Sequence, residues 1–191
     1  MSFFNEPRNA GILLLIIALL DIVLSVVSVF ALDSYKDLEM WKKILVIVGA
    51  VIGAVVYAIV GMGIMKGNCM IQIGKLFSDV NSKFGVLVAT TACVGVADLI
   101  SSAFSLVAFG GMSAGTVIIA VLLIIMAWLM VEGGTLAGNV IWIILLILYI
   151  LGIIFSAIAC LVLIGIPMLL LYIMLLIFLL SPEVKEKMGM N

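Results

Sequence analysis

The sequence predicts an all-α integral membrane protein, a polytopic bundle of about six transmembrane helices arranged as repeated helix hairpins. Three observations carry that expectation. Of the 191 residues, 67% are hydrophobic and only 10% are charged, whereas a soluble domain is about 45–50% apolar and about 25% charged. The mean hydropathy is +1.52, and a soluble fold of this size cannot hide so much apolar surface. The charged residues fall into short breaks between apolar runs of membrane-crossing length.

Taken in order, the first apolar run gives a helix over about 10–32. It follows Arg8 and resembles a signal peptide in outline, with small residues near Ala31. It is longer than the usual h-region of about 7–15 residues and contains Asp21, so it is read as a membrane span. A polar loop with Tyr35 and Trp41 as interface anchors precedes the second helix, about 44–65. Gly49, Ala50, Gly53 and Ala54, with Gly61 further along, give that helix a small-residue face for close packing. The connector that follows holds Cys69, Met70, Ile73, Leu76, Phe77 and Val80 at helical spacing, with Gln72, Lys75 and Asp79 on other faces. It is expected to form an amphipathic interfacial helix over about 69–82.

The third helix covers about 84–109 and the fourth about 114–131, joined by a Gly110–Gly111 turn. After the Glu132–Gly133–Gly134 break comes an uncharged stretch from Val140 to Leu180. As one helix it would be about 60 Å long, twice the roughly 30 Å hydrocarbon core, so it must cross twice. The pair is placed at about 139–159 and 162–180. Gly165-Ile166-Pro167 leaves three possibilities open: a turn, a kink inside the sixth helix, or a helix broken at membrane depth. A short polar tail, 181–191, opens with the helix-start signature Ser181-Pro182-Glu183. The whole chain is read as one transmembrane domain.

With six spans, Arg8, Lys66, Lys75, Lys83, Lys185 and Lys187 share one side, against Lys36, Lys42 and Lys43 on the other. The positive-inside rule then places both termini in the cytoplasm, in the cell or inner membrane.

Within this frame two stretches stand out. Asp21, Ser25 and Ser28 lie at i, i+4 and i+7, which puts a carboxylate and two hydroxyls on one helix face. The pattern returns as Asp98, Ser102 and Ser105. A carboxylate at the centre of a span costs roughly 2.5–3.5 kcal/mol on insertion scales. No Lys or Arg falls inside any expected span to offset it. Val60-Gly61-Met62-Gly63 to Asn68 also matches Val131-Glu132-Gly133-Gly134 to Asn139. Together these indicate two duplicated hairpins running in the same sense, with a third, degenerate copy around Gly152 and Ser156. Asp21 and Asp98 are then expected at similar depth, facing one another or a common cavity. The serines have a plainer use as well, bonding back to carbonyls one turn earlier or joining helices.

Composition also excludes function classes. A net charge of −1 and few basic residues argue against nucleic acid as a partner. There is no histidine, the three cysteines are widely separated, and no phosphate loop or paired metal-ligand spacing occurs. No enzyme activity, catalytic residue, cofactor or metal site is expected. Asp21, Ser25, Ser28, Asp98, Ser102 and Ser105 form the candidate ion or proton site. The leading expectation is a cation- or proton-coupled transporter or channel acting in the lipid bilayer. The other is a non-enzymatic accessory or scaffold subunit, working as a homo-oligomer or with other membrane subunits that satisfy the aspartates.

Overall fold

A computed structural model describes residues 3–32, 35–70, 75–110, 114–132, 135–158 and 165–190, the side chains of 135–137 excepted. After a 3-10 turn at Phe3–Asn5 come α1 (Pro7–Ala31), α2 (Met40–Lys66), α3 (Lys83–Phe109), α4 (Ala114–Glu132), α5 (Thr135–Ile158), α6 (Gly165–Leu179) and α7 (Pro182–Lys187). The helices α1 to α5 each carry a stretch long and apolar enough to cross a membrane. The architecture is that of a multi-pass helical bundle. The sixth helix is as apolar but has 15 residues, about 22 Å at 1.5 Å per residue.

Helix α3 is the centre of the bundle. Every residue from Gly85 to Gly95 is buried, and α1, α2, α4, α6 and α7 all pack on it. A stretch covered on all sides needs no polar face, which is why the residues from Gly85 to Gly95 show no single apolar stripe. Neighbours along the chain pack as hairpins, α1 on α2, α2 on α3, α3 on α4 and α5 on α6. The first crossing is closed by two glycines. A Cβ on Gly11 would stand 2.5 Å from the Gly61 carbonyl oxygen, and one on Gly61 would stand 2.8 Å from that of Gly11. Only glycine at both positions lets the backbones meet. The rest of the small-residue face of α2 turns to α3, with Gly49 against Phe104 and Gly53 beside Ser101 and Ala97.

The connector before α3 corrects one expectation. Among its described residues there is no interfacial helix: Lys75–Ser78 form a turn, and 79–82 form a capping loop. Residues 71–74 of that expected helix lie outside the described residues. The reason is local hydrogen bonding, because short polar side chains offer the backbone an alternative to helix. The Ser78 hydroxyl donates to the Lys75 carbonyl, and Asp79 Oδ1 accepts from the N–H groups of Asn81 and Ser82. Ser82 caps α3 by accepting from the Gly85 N–H at 3.0 Å, while its hydroxyl donates to Asp79 Oδ2. Phe77 and Val80 are buried under the bundle instead of facing lipid.

The described part of α6 starts at Gly165 and has Pro167 as its third residue. A turn near Cys160, and a sixth helix starting at 162, fall outside the described residues. The expected polar tail is in part a docked helix: α7 buries Val184, Met188 is buried just beyond it, and α7 packs on α3 and α6. Trp142 of α5 holds this end by donating its indole N–H to the Leu179 carbonyl at 3.0 Å, with Lys185 Nζ over its ring.

Candidate functional site

Asp21 lies fourteen residues beyond Pro7 in α1, and Asp98 fifteen beyond Lys83 in α3. Both helices begin at the same end of the bundle, so the two carboxylates stand at matching depth, about 21–22 Å in. They line one cavity of about 190 Å³, together with Ile17, Tyr57, Ala97, Ser101 and Met168. Four helices build it: α1 supplies Ile17 and Asp21 one turn apart, α2 supplies Tyr57, α3 supplies Ala97, Asp98 and Ser101, and α6 supplies Met168.

The polar atoms of this cavity stand without mutual satisfaction. Among the described residues no hydrogen bond or ion pair reaches either carboxylate or the Tyr57 hydroxyl. Tyr57 is only 3% exposed. Ser101 adds a hydroxyl against Gly53, with its Oγ 3.4 Å from where a Cβ on that glycine would lie. The cavity wall contains no lysine or arginine.

The serines fall elsewhere. Ser25 and Ser28 are half-buried further along α1, Ser102 is buried and Ser105 half-buried on α3, and none of the four lines the cavity. The hydroxyl that does line it, Ser101, sits three residues from Asp98 rather than four. Both spacings share a helix face, and only the packing of α2 decides which one turns inward. Tyr57 carried a signal of its own, a single tyrosine amid apolar residues with Gly53 and Gly61 a turn away on either side. Met168 carried none, since its place depends on how α6 docks against α1.

A second buried polar contact lies nearer the start of α3. Thr91 Oγ1 donates to the Leu87 carbonyl at 2.6 Å and is 2.6 Å from the Tyr149 hydroxyl. With its one proton spent, Thr91 accepts and Tyr149 donates. This pair is satisfied and joins α5 to α3. Thr90, beside it, has a buried hydroxyl with no partner among the described residues. No group of three or more Cys, Asp or Glu side chains comes together among the described residues.

The third polar region is at the end of the bundle where α3 begins. There Asp79 accepts the Ser82 and Asn81 bonds already described, Lys187 Nζ lies 3.6 Å from Asp79 Oδ2, and Asn81 donates to the Gly67 carbonyl at 3.0 Å. Partial burial pushes the Asp79 carboxyl up. The hydrogen bonds from the Ser82 side chain and from the Ser82 and Asn81 backbones, together with Lys187, outweigh that and hold it below the usual carboxylate range. Lys75 and Glu132 pair nearby at 3.5 Å, both well exposed.

No protein-family description, curated protein or solved structure matches this chain. The functional reading therefore rests on the cavity itself.

Proposed function

We propose that this protein moves a proton or a small cation across the bilayer through the cavity between α1, α2, α3 and α6, with Asp21 and Asp98 as the charge-bearing groups. The observation that carries the reading is the presence of two carboxylates on one cavity at matching depth, with Tyr57 and Ser101 beside them and no basic side chain in the wall. Two like charges facing a common low-dielectric space repel, and a bound proton or cation relieves that repulsion. The cavity is roomy enough for several water molecules. The Tyr57 and Ser101 hydroxyls can donate to a carboxylate or offer a lone pair to a cation.

The reading includes the repeat expected from the sequence, in which α1–α2 and α3–α4 are related hairpins and each donates one aspartate. It also includes six crossings, with α6 as a short sixth span, and the orientation that turns Arg8, Lys66, Lys83 and Lys187 to the cytoplasm.

The test is a flux measurement on purified protein in proteoliposomes, with a proton-sensitive dye and a panel of monovalent and divalent cations. Parent, Asp21→Asn and Asp98→Asn would be compared after matching them for monodispersity and melting behaviour. The expected result is a flux that falls at least tenfold in each variant. Flux that survives both substitutions would remove the aspartates from the pathway. No flux from well-folded parent would sink the transport reading and direct attention to partner subunits, sought by crosslinking in native membranes.

A further inference from the structure

A second, larger cavity shares a wall residue with that of the carboxylates. It measures about 370 Å³ and lies between α4, α5 and α6, with Ile119, Leu123, Leu148, Phe155 and Tyr172 among its walls. This is the size of small-molecule pockets in general, about 300–1,000 Å³. Its lining is almost wholly apolar, with Ser156 and the Tyr172 hydroxyl as the polar exceptions. One side chain is common to the two cavities: Met168, flexible and unbranched, lines both. Tyr172 also walls the apolar cavity. Its ring is held against Gly152, where a Cβ would come within 2.8 Å of it.

We propose that the two cavities form one site for an amphiphilic organic cation: the positive group sits at Asp21 and Asp98, and the apolar body fills the space between α4, α5 and α6. The inference rests on the reading of the aspartates as a cation site and adds the class of ligand. A bare metal ion or a proton gains nothing from an apolar chamber beside its ligands. An ammonium or phosphonium with bulky apolar substituents gains from both halves, through charge at the carboxylates and through burial of its body. Phe155 and Tyr172 add aromatic faces that attract such a cation. Met168, free to swing, would let the ligand occupy both chambers at once.

The experiment is equilibrium binding of radiolabelled tetraphenylphosphonium to the purified full chain in detergent, with neutral tetraphenylmethane as competitor. Saturable binding that this competitor does not displace is expected. It should weaken at least tenfold in Asp98→Asn and Asp21→Asn, and at least tenfold in the cavity-filling variants Ile119→Trp and Ser156→Leu. Ile119 is partly exposed, so a larger side chain there leaves the fold intact; the serine variant guards against a local failure at either position. Two outcomes overturn this proposal alone: binding that ignores both cavity-filling variants, or no saturable binding by a parent protein that does carry protons or inorganic cations. The second leaves the transport reading standing. Binding that persists undiminished in both aspartate variants overturns this proposal and the carboxylate reading with it.

Discussion

Asp79 and the pair Asp21/Asp98 are the same side chain in opposite circumstances. Asp79, at the end of the bundle, accepts three hydrogen bonds from its own loop and faces Lys187. Its charge is used up in holding a turn together. Asp21 and Asp98, deep between helices, face each other's cavity with a lone tyrosine hydroxyl and a serine, and no bond or ion pair reaches them among the described residues. A carboxylate with all its lone pairs engaged is structural. One held open in the membrane at a cost of several kcal/mol is the kind of group that the proposed cation site needs.

The sharpest way to break this contrast is to attack the structural side first. A Cβ on Gly85 would lie 1.8 Å from the Asp79 carbonyl oxygen, so the loop cannot close over any larger residue. Gly85→Val should cost about 3 kcal/mol by forced displacement of the cap, read as a lowered melting temperature in detergent. An unchanged melt would mean that the loop does not pack on α3 in this way.

Asp79→Ala comes next. It removes the acceptor that orders Ser82 and Asn81, and should cost about 1–2 kcal/mol, in the range of a lost helix cap. Flux should be untouched. The pH dependence follows from the sign of the shift. The folded-state carboxyl sits below its ordinary value of 3.8, so its contribution is fully present above that value and fades as pH falls through the folded one. The gap between parent and Asp79→Ala should therefore hold from neutral pH down to about 4 and narrow in stronger acid. A gap that instead closes between pH 7 and 5 would contradict the assignment.

Lys187→Gln tests the smaller part of the same cluster. Its pairing with Asp79 is about half exposed, and such pairs contribute roughly 0–1 kcal/mol, so the melt should move by less than about 0.5 kcal/mol. The last expected effect on stability lies on the cavity side. Asp98→Asn removes a charge that gains no partner from the fold, and stability should stay within about 1 kcal/mol of the parent or rise. A large loss there would show that Asp98 is a structural group after all and would remove the distinction between the two regions.

How much of this was legible beforehand depends on which physical constraint set it. Helices α1 to α4 were readable to within a few residues because hydrocarbon demands long apolar runs and charge ends them. The connector misled because its apolar spacing fits a helix, while Asp79, Asn81 and Ser82 bond the backbone locally and win over seven or eight residues. At the cavity, the matched aspartates could be picked out by their cost alone. Ser25, Ser28, Ser102 and Ser105 could not be separated from Ser101 by spacing, since each shares a face with its aspartate.

The sequence by itself determined the apolar character of this protein, the helices long and apolar enough to cross a membrane, and the place of each carboxylate along its helix, because each depends on residue chemistry and position along one helix. Only the tertiary structure decided that Asp21 and Asp98 line one cavity, that Tyr57 and Ser101 complete it, and that Met168 lines both it and the apolar chamber. Those facts depend on the rotation of each helix about its axis. Inside lipid no polar–apolar contrast fixes that rotation, and close packing at contacts such as Gly11 on Gly61 does.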